Sequence, residues 1–164
     1  MLSLRDKLKA TAAPKPAAPK KAAPQDCMIQ EIRVPLEKFT LPEEISGASL
    51  TMMQGKDFPD CKRENICFLD TETTGLSHGA GTVAFLVGVG FFDEAGFTVR
   101  QYLMRDYDEE MFLLSHVAED MQKSAMLCTF NGATFDLPLL ENRFIMNRMR
   151  DQYCLRPHVD LLPT

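Results

Sequence analysis

The chain has 164 residues, 45% hydrophobic and 25% charged, with 9 Gly and 10 Pro; one ordinary globular domain fits, and collagen-like, fully disordered and disulfide-scaffold classes are excluded. The net charge of −5 is uneven: residues 1–25 hold six Lys/Arg against one acid, and the remainder 12 Lys/Arg against 22 acids. An acidic body excludes simple electrostatic adhesion to nucleic acid, so a phosphate-handling role would need bound cations to offset the protein's own field.

Residues 1–25 form a basic Ala/Pro/Lys tail. Leu4 and Leu8 support one marginal amphipathic turn, and four prolines between Thr11 and Pro24 favour extended conformers with nothing apolar to bury. The tail reads as a disordered tether, or as a basic arm touching nucleic acid or membrane. The first ten residues lack the apolar core of a secretory signal, and Val83–Val89 is too short to cross a bilayer. The five cysteines, an odd number without a C-x-x-C pair, fit reduced, buried thiols. A cytoplasmic address with no membrane partner is expected.

Residues 26–60 predict a loop-rich lead-in. Ile32, Val34 and Leu36 alternate like one face of a strand, and Pro35 makes it an edge. Pro42, Gly47, Gly55 and Pro59 then punctuate a connection that carries no chemistry of its own.

Residues 61–164 carry the stronger signals. Ile66–Leu69 suits a strand buried on both faces, and Val83–Phe92 and Phe97–Met104 predict two more strands joined by a hairpin at Asp93–Gly96. Asp106 or Asp108 can cap a helix reaching about Lys123, with Phe112, Leu113, His116, Val117 and Met121 along one side. Met126–Phe130 predicts a strand, Phe135–Arg150 a helix and Leu155–Leu162 a last strand. The order β-β-β-α-β-α-β is α/β, combining a meander with parallel crossovers.

Asp70 and Glu72 end the first of these strands, and side chains two apart share a face. Such a pair is either a solvated strand end or half of a cation site, because neighbouring carboxylates repel and cost desolvation unless a cation lies between them. Asn131-Gly132-Ala133-Thr134-Phe135-Asp136 leaves the next buried strand and enters a helix. Thr134 or Asp136 can simply cap that helix. Alternatively, parallel neighbours bring Asp136 to the same sheet edge as Asp70 and Glu72, where ligand crevices form. Three carboxylates there would suit Mg²⁺ or Mn²⁺, two ions about 3.5–4 Å apart serving phosphodiester hydrolysis. His78 and Arg143 are either ordinary surface residues or phosphate contacts, and His116 reads as structural.

The segment Phe68–Leu76, centred on Asp70-Thr71-Glu72, resembles the first motif of the DEDD 3′–5′ exonucleases of the ribonuclease-H-like superfamily, and Asn131–Asp136 resembles their second. Leu76–Gly88, Thr129–Gly132 and Asp136–Leu140 resemble more particularly the YprB-like ribonuclease-H-like domain of bacterial proteins, over about Leu41–Thr164. The resemblance implies a mixed sheet flanked by helices, with Asp70, Glu72 and Asp136 as catalytic metal ligands. It also implies that Thr73, Thr74, Leu76, Asn131 and Phe135 bind a single-stranded nucleic-acid 3′ end, and that Asp160 supports the site from behind. The family's third motif places a fourth acid four residues after His or three after Tyr, whereas His158 precedes Asp160 by two. The expectation is therefore a C-terminally incomplete domain, weak or inactive by itself as an exonuclease. The alternative is a non-catalytic nucleic-acid-binding or interaction module that keeps the fold.

Overall fold

The computed structural model describes residues 26–75, 81–149, 154 and 156–162; the tail 1–25, Leu76 and His78 lie outside the described residues. Among the described residues, eight strands and three α-helices follow in chain order: β1 (Met28–Pro35), β2 (Glu44–Ile45), α1 (Gly47–Gln54), β3 (Cys61–Lys62), β4 (Ile66–Thr73), β5 (Ala84–Asp93), β6 (Gly96–Leu103), α2 (Glu110–Gln122), β7 (Met126–Thr129), α3 (Asp136–Met146) and β8 (His158–Asp160). Six strands form one mixed sheet in the order β1-β6-β5-β4-β7-β8, and β2 and β3 pair separately. The α/β class expected from the sequence, a mixed sheet flanked by helices, is present.

Two periodicities build the sheet. The meander β4–β5–β6 is antiparallel, closed at one end by a tight turn in which Asp93 Oδ1 accepts the N–H groups of Ala95 and Gly96. Gly96 is required there: at φ 153° a Cβ would fall 2.1 Å from Val34 O. β7 joins β4 in parallel, and β8 joins β7 in parallel, so three strands bring their carboxyl ends to one edge. β1 occupies the other edge, pairing antiparallel with β6 from Met28 to Pro35, where the proline's missing donor costs nothing.

One face of the sheet is covered by α2 and α3. Leu113, Val117 and Met121 of α2 and Leu140 and Phe144 of α3 are completely buried against Cys67, Leu69, Val87 and Val89. Truncating any of the larger ones to Ala would cost about 2–5 kcal/mol. The other face packs Leu50 of α1 against Ile66, Met126, Cys128 and Val159, beside a group of edge-on rings from Phe39, Phe68, Phe92 and Phe97.

Four sequence expectations need correction. Helix α1 stands where a loop was expected; Ser46 and Gly55 bound it, and Gly55 ends it in the left-handed conformation with its N–H on Thr51 O. The helix from Asp136 stops at Met146 rather than Arg150, and the last strand covers only His158–Asp160. Arg143 is no surface residue: it is 8% exposed, and its Nε and Nη2 donate to the two Glu110 oxygens at 2.6 Å each, joining α3 to α2. Among the described residues no helix is long and apolar enough to cross a membrane.

Candidate functional site

β4 runs on beyond its pairing with β7, which ends at Phe68↔Cys128, so Asp70–Thr73 project past the parallel part of the sheet. There β4 pairs, among the described residues, with β5 alone, with a register irregularity between Glu72 and Thr73. Such bulges re-aim side chains at strand ends. The alternation leaves Asp70 and Glu72 exposed, while Leu69 is buried under the helices.

The second element is the β7–α3 connection. Asn131 adopts φ 63°, a left-handed conformation that asparagine tolerates better than most residues. Its side-chain Oδ1 accepts the Thr134 hydroxyl at 2.8 Å. Gly132 follows, and only glycine fits, because a Cβ would lie 2.4 Å from Thr129 Oγ1. The loop is fixed from β8: Asp160 Oδ1 accepts Asn131 N–H at 2.6 Å and Oδ2 accepts Ala133 N–H at 2.9 Å. Burial pushes the Asp160 carboxyl up, but these amides and that of Leu162 outweigh it and hold the group below its usual value. Asp160 thus sits behind the loop, its oxygens already engaged by backbone.

This loop delivers Asp136 as the first residue of α3, with Phe135 as the N-cap before it. Asp136 Oδ1 accepts the Thr71 hydroxyl at 2.6 Å. The carboxyl is buried, and burial raises its pKa; Thr71 opposes the shift and the charge of Asp70 adds to it. Two acids from distant segments therefore sense each other across β4.

Asp70, Thr71, Glu72, Thr73, Asn131, Phe135 and Asp136 line one cleft of about 270 Å³, completed by Gly75, Thr82 and Leu139. Six residues expected at the site are thus brought together: Asp70, Glu72, Thr73, Asn131, Phe135 and Asp136. Thr74 is not among them, since its N–H donates to Val83 O and its hydroxyl accepts from Val83 N–H. Thr71, Thr82 and Leu139 were not anticipated. Thr71 lies between the two acids in sequence, and its role depends on which element packs over β4. Phe135 is 44% exposed at the mouth and offers a flat apolar surface.

Among the described residues no Lys, Arg or His lines the cleft, so no described cation in its walls offsets the three acids. An all-oxygen donor set with unrelieved acid–acid repulsion fits a hard divalent cation. The three do not form one compact trio, because their oxygens do not all lie within 4.8 Å of one another. Asp70 and Glu72 come from the strand, and Asp136 approaches from the helix side.

Residues 67–164 match a family model described as the RNase_H superfamily. The chain is also similar to the uncharacterized protein YprB of Bacillus subtilis (strain 168), 32% identical over 151 residues. That match covers 83% of this chain and 35% of YprB, so the chain spans about a third of its relative's length.

Proposed function

The chain belongs to the RNase H superfamily, and from that premise we propose that it is a metal-dependent nuclease domain of the DEDD kind, removing nucleotides from a single-stranded 3′ end. One observation carries the reading: Asp70, Glu72 and Asp136 open on a single cleft with no basic residue among its described lining. Asp70, Glu72 and Asp136 would hold Mg²⁺ or Mn²⁺. When bound, these ions supply activation of the attacking water and stabilisation of the leaving 3′ oxygen.

The protein's own groups then have definite tasks. Thr71 keeps the Asp136 carboxylate turned toward β4 through its 2.6 Å hydrogen bond. Asp160 acts as a positioning residue, holding Asn131 and Ala133 by their amides. Phe135 and Leu139 offer apolar wall against which a terminal base can stack. Thr73 spends its hydroxyl on Gly75 O at 2.8 Å, shaping the exit turn rather than reaching the substrate directly.

A second reading, a nucleic-acid-binding module without turnover, is favoured by one observation. Asp160, the acid that β8 contributes, is engaged by three backbone amides and is poorly placed to serve as a fourth ligand. Activity of this chain alone is therefore expected to be weak. The test uses 5′-labelled single-stranded DNA and RNA with Mn²⁺ at stoichiometric protein. Slow shortening from the 3′ end, absent in Glu72→Gln, is expected. Internal cleavage or 5′-end release would overturn the polarity, and binding without any shortening would favour the second reading.

A further inference from the structure

Away from the cleft, Asp26, Cys27 and His116 converge at the point where the chain approaches β1 and crosses α2. Asp26 and His116 are 90 positions apart, yet His116 Nε2 lies 3.0 and 3.1 Å from the two Asp26 oxygens. A carboxylate oxygen, the Cys27 sulfur and an imidazole nitrogen all fall within 4.8 Å of one another. Among the described residues this is the one His, Cys, Asp and Glu trio so closely gathered. Cys27 is buried, Asp26 is exposed and His116 is half-buried, so the trio has a closed floor and an open side.

The supporting contacts fix the donors. The His116 ring is stacked on Tyr102, centroids 5.7 Å apart and planes 3° apart, which sets the direction of its nitrogens. Arg105 Nη2 donates to the Asp26 carbonyl at 2.8 Å, pinning the backbone that carries Asp26 and Cys27. Sulfur, imidazole nitrogen and carboxylate oxygen together are the ligand classes of Zn²⁺, which accepts three protein donors and leaves a fourth position open. From this geometry we infer that Asp26, Cys27 and His116 form a zinc site, separate from the carboxylate cleft, that clips the start of β1 to α2.

Burial, and then the negative charges of Asp26 and Glu109, push the Cys27 thiol up to about 11. A divalent cation in the trio reverses that balance, offsetting both acids and favouring the thiolate. The physical consequence is a cross-link between the first strand and a helix far along the chain, which stabilises the edge of the sheet where β1 has a single neighbour.

The test titrates the whole chain with Co²⁺ as a spectroscopic stand-in for Zn²⁺, in the presence of excess Mg²⁺ to occupy oxygen-only sites. One equivalent should produce a thiolate-to-cobalt charge-transfer band that Zn²⁺ then abolishes. Cys27→Ser should remove the band, and His116→Ala should weaken binding at least about tenfold. Asp26→Asn changes only an exposed side chain; it should keep the parent's circular dichroism and also weaken binding, so the inference does not depend on the buried cysteine variant folding. Zn²⁺ should raise the melting temperature of the parent but not of Cys27→Ser. A parent without the band overturns the inference, as does a band surviving Cys27→Ser and therefore arising from Cys61, Cys67, Cys128 or Cys154.

Discussion

Thr71, on the strand between the two acidic positions, donates its hydroxyl to the Asp136 carboxylate at 2.6 Å. This bond ties β4 to the first turn of α3 and orients the most buried of the three acids. Thr71→Val leaves that carboxylate with one donor fewer, costing about 1–3 kcal/mol at pH 7. The sign with pH follows from the raised folded pKa of Asp136. A carboxyl whose folded value lies above its unfolded value, about 4, is best tolerated at low pH and penalised as pH rises through the folded value. Losing the Thr71 bond raises the folded value further, so the destabilisation should shrink toward pH 3 and grow toward neutrality. Urea unfolding across that range checks it, with Thr71→Ser expected to restore the parent's behaviour.

Asp160 has the opposite sign. Its folded pKa is depressed, since three backbone amides outweigh burial. It therefore contributes stability above the unfolded carboxylate value, about 4, and that contribution is lost as pH falls through the lower folded value. Asp160→Asn turns one acceptor into a donor facing the Asn131 or Ala133 N–H. Destabilisation of about 1–3 kcal/mol is expected at pH 7, fading under acid conditions. Amide exchange at Asn131 and Ala133 should accelerate in parallel.

The buried pair of Arg143 and Glu110 predicts a non-additive mutant cycle. Both side chains are about one-tenth exposed, and Asn147 Nδ2 also donates to Glu110 Oε2 at 3.0 Å. Either Arg143→Met or Glu110→Leu strands a buried charge, at about 3–5 kcal/mol each. The double variant should be far less destabilised than the sum, because apolar replacements of similar size remove both desolvation costs. Denaturant unfolding of the four proteins measures the coupling, and additive effects would contradict it.

The elements that frame the cleft were legible because apolar runs and turn residues mark them. Val83–Phe92, Phe97–Met104 and Met126–Phe130 became strands with ends within one residue of those expected, and the strand expected at Ile66–Leu69 starts there but runs on to Thr73. Helix α1 was hidden because its apolar residues are mostly exposed: Met52 is 85% exposed and Met53 56%, and only Gly47 and Leu50 are buried. It forms under the packing of Leu50 and of Gly47 against Phe58 O, contacts that no periodicity announces. Arg143 was misread for a related reason, since its partner Glu110 lies 33 positions away and on another helix. At the site, the convergence of Asp70, Glu72 and Asp136 on one cleft was readable, because two acids alternate at a strand end and a parallel neighbour brings the third to the same edge. Thr71 and Thr82 were not, because a hydroxyl beside an acid has no signature until the chain folds over it. Thr74 turned away because its amide and hydroxyl close the connection to Val83, a use the local sequence does not distinguish from ligand binding.

The central claim is that Asp70, Glu72 and Asp136 share a divalent cation, and calorimetric titration with Mn²⁺ tests it most directly. The parent should bind Mn²⁺, and Asp70→Asn and Asp136→Asn should each weaken binding by at least about tenfold. Because burial and the Asp70 charge disfavour the ionised Asp136 carboxyl, the metal-free Asp136→Asn protein should be at least as stable as the parent at pH 7. Weakened binding in a variant that stays folded is the predicted result; both variants binding Mn²⁺ like the parent would show that the three carboxylates do not act as one site.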